Sequence, residues 1–418
     1  MIKRSSFGLL HNSMWIRVLT MSLVLFFVYL GDAVLSDWVP SYMQTVLGSS
    51  VLMGLVMSFS SVVGLAADLV FPQLLQKVRA RKLILMAIGT NLVFSGVLVW
   101  TTTWSWLVLF LLGMAVWGIY YELLWFGSAQ FVADSIASNA RSGVWAVIGI
   151  FKSLAYFLGP ILGSWLVLSR GNAATVVTAA ALVCLGYVIW AFVGKKEKKE
   201  EVEIEPTERF SIVLEMSHWK TLFGHVWQVL LLSLTMGLVD ATFWTTGTVL
   251  SDNLAKNYSW GGMFLPLYML PPIFMGIVLA RLGVYKGKKK ISELFLLLSG
   301  VFLFLLGIFE GIAMLLLLSF LVGLALSIAW PMVDAVYSDI LARMGKERKH
   351  MVGLSSSTVS LAYILGPILT GIVANRVGER MTFSIVGLVV VLMAVMLLIT
   401  TPKKTRLPQS AMAEWQGK

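Results

Sequence analysis

The chain lacks most of what a soluble enzyme is built from. Its 418 residues include one cysteine, Cys184. That excludes an internal disulfide framework and a cysteine-based metal site. The four histidines, His11, His218, His225 and His350, are scattered without ligand spacing, so no metal site is expected. Asp, Glu, Lys and Arg make up only 13% of the chain, against about 25% in soluble domains. There is no Gly-x-x-x-x-Gly-Lys-Ser/Thr loop to cradle a nucleotide phosphate, which argues against work driven by ATP. No nucleophile motif appears, so neither a catalytic residue nor a cofactor is expected.

What is present is apolar. Hydrophobic residues make up 58% of the chain, and the mean hydropathy is +0.86. A membrane span needs about 20 apolar residues. Runs of that kind cover Arg17–Trp38, Val51–Leu75, Leu83–Trp100, Trp104–Phe131, Val144–Leu168 and Ala173–Val193 in the first half. The second half has Leu222–Leu250, Gly262–Leu282, Leu294–Ile308, Ile312–Ile340, Val352–Val373 and Met381–Ile399. The first run is too long for a cleaved leader and has no small-residue cleavage site after it, so it reads as a permanent span. The fold class expected is all-α: a polytopic membrane protein of about 12 transmembrane helices.

The net charge of +11 would suit nucleic acid, but its distribution does not. Lysines and arginines crowd alternate short loops, including Lys77, Arg79, Arg81 and Lys82 between spans two and three. The opposite loops hold only Arg170, Lys256, Arg376 and Arg380. By the positive-inside rule both termini are cytoplasmic, and the partner is a lipid bilayer, not nucleic acid. The expected location is a plasma or cell inner membrane. A charged stretch, 195–220, reads as a cytoplasmic linker between bundles 1–194 and 221–402, with a tail at 403–418. Within it, Phe210–Met216 could form a short surface helix.

The two halves repeat one another. Ser153–Leu162 reads SLAYFLGPIL and Ser360–Leu369 reads SLAYILGPIL, an offset of 360 − 153 = 207. Asp32-Ala33 returns as Asp240-Ala241, and Trp125 and Asp134 return as Trp330 and Asp339. An internal duplication of this length implies two six-helix repeats related by a pseudo-twofold axis.

Six plus six spans, a basic loop after the second span, a charged central linker and Gly-Pro on the fifth span together resemble the major facilitator superfamily. The family's antiporter core, Gly-Pro-x-x-Gly-Gly, matches Gly159, Pro160 and Gly163, with Ser164 in place of the last glycine. The eleventh span repeats it as Gly366, Pro367 and Gly371. The family's loop motif is degraded: aligned on its basic end, its Asp-Arg falls on Gln76-Lys77. Asp68 follows Gly64 at the motif's Gly-to-Asp spacing and could stand in for the missing acid. The resemblance implies alternating access around a cavity lined by spans one, four, seven and ten. Proline removes a helical N–H and the glycines permit close approach, so the Gly-Pro sites read either as hinges or as static kinks.

A charge at bilayer depth is costly, so each one marks a pathway or a partner. Asp32 and Asp240 are related by the repeat and are expected to face one cavity, where they would carry protons or bind a cation. The alternative is that each caps local backbone. Glu122 and Lys152 lie equally far from the turn between spans four and five, so they are expected to pair, as a switch or as a fixed ion pair. Asp334 could face the cavity or end a helix. Tyr121, Trp125, Trp244 and Trp330 stand near these acids and could hold an organic cation.

The function expected is a secondary transporter coupled to protons, moving a small organic solute. Exchange of protons for an exported hydrophobic, cationic compound is favoured, and a monomer is expected. A symporter importing a metabolite is the near alternative. A receptor or scaffold that moves nothing is the distant one.

Overall fold

The computed structural model describes residues 13–75, 78–136, 141–193, 212–282, 287–344, 347–402, 407–408 and 412. Every regular element among them is helical. The first half contains α1 (Ser13–Leu47), α2 (Ser50–Leu74), α3 (Ala80–Thr101), α4 (Leu107–Ser135), α5 (Arg141–Arg170) and α6 (Asn172–Val193). The second contains α7 (Ile212–Thr242), a π-helical turn (Phe243–Gly247), α8 (Thr248–Asn257), α9 (Phe264–Met269), α10 (Pro271–Leu282), α11 (Lys288–Ile308), α12 (Ile312–Met344), α13 (Arg348–Val377) and α14 (Glu379–Thr400).

These elements make 12 helices long and apolar enough to cross a membrane. The seventh runs from Leu214 to Asn257, through α7, the π turn and α8. Thus the surface helix expected at Phe210–Met216 continues directly into α7 over its described residues. The eighth, Gly261–Leu279, is split into α9 and α10 where Pro271 and Pro272 interrupt it. The chain is an integral, multi-pass membrane protein, and an even number of spans puts the start of α1 and the end of α14 on one side. That side is called here the terminal side, and the other the far side.

The turns repeat as well as the helices. Gly171 closes α5 at φ +81° and Gly378 closes α13 at φ +82°, and 378 − 171 = 207. Only glycine enters this backbone region freely, so the duplication preserves it. Buried apolar side chains fall into two clusters, one reaching from Val18 to Trp190 with Val249, the other from Leu222 to Met412.

The halves meet along a glycine seam. A Cβ built on Gly54 of α2 would stand 2.1 Å from the Pro367 carbonyl oxygen of α13. One on Gly371 would stand 2.4 Å from the Ser50 oxygen. The backbones touch, and no larger residue fits between them. Ser58 Oγ donates across the same seam to the Ile364 carbonyl at 2.7 Å. At the far-side rim, Gln44 Nε2 donates to Glu379 Oε1 at 3.0 Å.

Candidate functional site

The duplicated segments build the same clamp twice. In α1 and α5, Ala33 lies where a Cβ on Gly159 would be 2.4 Å away. In α7 and α13, Ala241 lies 2.6 Å from the corresponding point on Gly366. Each small contact draws its two helices together beside the neighbouring acid. Tyr156 then donates its hydroxyl to Asp32 Oδ2 at 2.5 Å. Tyr363 donates in the same way to Asp240 Oδ2. Asp-Ala, Tyr and Gly-Pro are therefore parts of one device, which is why they recur together.

The two acids are not equivalent. Asp32 also accepts from Trp117 Nε1 at 2.8 Å and from Tyr121 at 3.0 Å, and it is fully buried. Asp240 has Tyr268 at 2.5 Å as its other donor and is only half-buried. A central cavity of about 330 Å³ is lined by Asp240, Lys152, Tyr121, Glu122, Tyr156 and Trp244, among others. Asp240 is part of its wall, whereas Asp32 sits behind the tyrosines. The π turn directly after α7 brings Trp244 and Thr245 to the cavity wall. Such extra-residue turns are frequent at functional sites. Trp244 meets Tyr156 edge to face, with ring centroids 5.1 Å apart.

Lys152 opens onto the cavity. Its Nζ lies 5.5 Å from the Tyr29 ring centre and 5.8 Å from that of Tyr156. It feels both Asp240 and Asp32 electrostatically. The expected ion pair with Glu122 is not formed. Glu122 instead faces Asp68, within hydrogen-bonding reach. Equal depth in a hairpin does not fix the helical face, and Glu122 points toward α2, where Gly64 leaves room for it. Asp68 in turn lies 3.4 Å from Ser356 Oγ and 3.5 Å from Ser360 Oγ, across the two halves.

Other expected positions fall elsewhere. Trp125 lies one turn beyond Tyr121, about 6 Å further along α4. There it is 55% exposed and stacks on Trp145 at 5.5 Å, outside the cavity lining. Trp330 packs on the core of its own half. Asp334 is exposed and does not line the cavity. Helices α5 and α13 run unbroken through Pro160 and Pro367. Gly163 leaves room for Asp37, whose Oδ2 would be 3.2 Å from an added Cβ. Of the basic loop, Arg79 caps α3 without a side-chain bond, Arg81 is half-buried and Lys82 exposed. Lys77 lies outside the described residues.

A site of this kind between two six-helix repeats is that of a membrane transporter. The chain belongs to the Major Facilitator Superfamily, whose sequence profile matches residues 2–155, 121–291 and 238–417. The Staphylopine export protein of Staphylococcus aureus (strain Mu50) is 21% identical over 279 residues, covering 65% of this chain and 68% of that one. The fold is similar to that of a POT family transporter solved in complex with 5-aminolevulinic acid. That likeness has a TM-score of 0.75 at 12% identity, over 93% of this chain and 96% of that one. The human organic anion transporter MFSD10 (TETRAN) is similar with a TM-score of 0.60 at 19% identity, over 92% of this chain and 100% of that one.

Proposed function

We propose that this transporter exports a small solute in exchange for protons, with bundles 1–194 and 221–402 rocking about the central cavity. The linker 195–220, the tail 403–418 and both termini face the cytoplasm, and the protein works as a monomer in the plasma or inner membrane. One observation carries the reading: two repeat-related acids, each held by hydroxyls of its own half, flank a single lysine at the cavity.

The chemistry follows from competition. A carboxylate held by phenol hydroxyls is aimed but not neutralised. A proton or a solute ammonium can each complete it, and both need the same oxygens. A carrier that crosses only when filled by one or the other exchanges them. Lys152 adds a cationic contact that can take a solute carboxylate. The solute favoured is therefore small and amphoteric, carrying an amine and a carboxylate, with apolar parts against Trp244 and Tyr156. This departs from the hydrophobic, cationic compound expected from the sequence by adding a carboxylate. The outward direction draws support from the relative that is named an export protein.

The test uses everted vesicles from cells overproducing the chain, acidified inside by respiration. Amphoteric amine-carboxylates should dissipate the pH gradient, read by a fluorescent dye, and Asp240→Asn should abolish the response. Undiminished responses in both Asp32→Asn and Asp240→Asn would remove the proton role.

A further inference from the structure

We propose that Glu215, His218 and His350 form a divalent-cation site of the zinc type between α7 and α13, at the terminal side of the protein. The site lies apart from the central cavity and does not rest on the transport reading.

Glu215 and His218 stand three residues apart near the start of α7, hence on one helical face. His350 comes from the start of α13. One ligand atom from each of the three residues lies within 4.8 Å of the others. The two imidazole rings meet edge to face with centroids 4.4 Å apart. His218 is 7% exposed and His350 5%. A glutamate with two histidines is a donor set that zinc takes readily, with water as the fourth ligand. Tetrahedral coordination needs ligand atoms about 3.4 Å apart, which small side-chain rotations can reach from here.

The supporting shell is what distinguishes this cluster from a chance meeting. His350 Nδ1 faces Glu215 Oε2 at 2.7 Å, while its Nε2 faces Glu347 Oε2 at 3.2 Å. A carboxylate behind a histidine is the usual means of aiming the opposite nitrogen at a metal. Glu215 is held likewise, since Trp219 Nε1 donates to its Oε1 at 2.7 Å. Trp219 itself lies over Gly353 of α13, where a Cβ would be 3.1 Å from the indole. Glu215 and Glu347 bring two carboxyl groups against His350 at a largely buried place, an arrangement that a divalent cation would complete. The ion would tie together the two helices that carry Asp240 and Tyr363.

The test is metal binding by the full-length protein in detergent, stripped with chelator and titrated with Co²⁺ alone and then Zn²⁺ alone. The expected result is one ion per chain, a tetrahedral cobalt absorption spectrum, and displacement of cobalt by zinc. His218→Gln and His350→Gln should each weaken binding at least 10-fold, and Glu347→Gln about 10- to 100-fold. His225→Ala should bind as the parent does, because His225 is exposed and contacts its own Thr221 carbonyl. Absence of stoichiometric binding by the parent protein overturns the proposal without any variant. So does unchanged binding in both histidine variants, which would leave the cluster a structural ion network.

Discussion

Lys152 and Val359 hold the same place in the two repeats, since 359 − 152 = 207, and both line the cavity. The duplication therefore supplies two acids but one base. Among the described residues no carboxylate stands in ion-pair contact with Lys152, so replacing it should leave the fold intact. Lys152→Met should keep the melting temperature within a few degrees and lower apparent affinity for a carboxylate-bearing solute about 10- to 100-fold. The check is transport kinetics in proteoliposomes beside a thermal-shift assay. Unchanged affinity would remove the lysine from solute binding.

The two tyrosine clamps should not be equally sensitive. Without Tyr156, Asp32 keeps donors from Trp117 and Tyr121. Without Tyr363, Asp240 keeps only Tyr268. Tyr363→Phe should therefore slow exchange about 10-fold, and Tyr156→Phe about 2- to 3-fold. Initial rates under an imposed pH gradient measure both. A larger effect at Tyr156 would reverse the assignment of Asp240 as the exposed partner.

The glycine seam gives a stability prediction with an internal control. Gly54→Ala and Gly371→Ala each place a methyl group into facing backbone, an overpacking cost of about 1–3 kcal/mol. Both should lower the melting temperature. At Gly89 an added Cβ meets nothing within 4 Å, so Gly89→Ala should be neutral or stabilising. Equal melting curves for all four proteins would mean that the halves do not touch as described.

The rim contact between Gln44 and Glu379 tests motion. Cys184 is the only cysteine and is exposed, so Cys184→Ser gives a clean background. Joining Gln44→Cys to Glu379→Cys with a short bifunctional thiol reagent should halt transport, and reductive cleavage of that link should restore it. Transport that continues when linking is complete would show that the far side need not open.

Much of the fold was legible because hydropathy and the repeat both point to six plus six. The third span of the second half begins at Lys288, earlier than the apolar run at Leu294, because Lys288–Lys290 and Glu293 mask its first turns. Asp32 and Asp240 stood out by depth and by duplication. Their tyrosines did not, since Tyr156 and Tyr363 read only as residues beside Gly-Pro. The Glu122–Lys152 pairing failed because depth is a scalar and a helix also has azimuth. Trp125 failed along the axis instead, lying on the right face but a turn too far. His218 and His350 looked unrelated because 132 residues separate them (350 − 218), and only the packing of α7 against α13 closes that gap.

If the bundles rock as proposed, the contact at Gly54 and Gly371 serves as a bearing, not as meshed gears. Interlocked side chains would have to leave their sockets before one bundle could tilt on the other. Two smooth backbone ridges have no sockets to leave, so the pivot itself offers little resistance. Resistance would then fall on the polar contacts that join the halves, Ser58 with Ile364 in the seam and Gln44 with Glu379 at the rim, where a single substitution could set the rate of the swing.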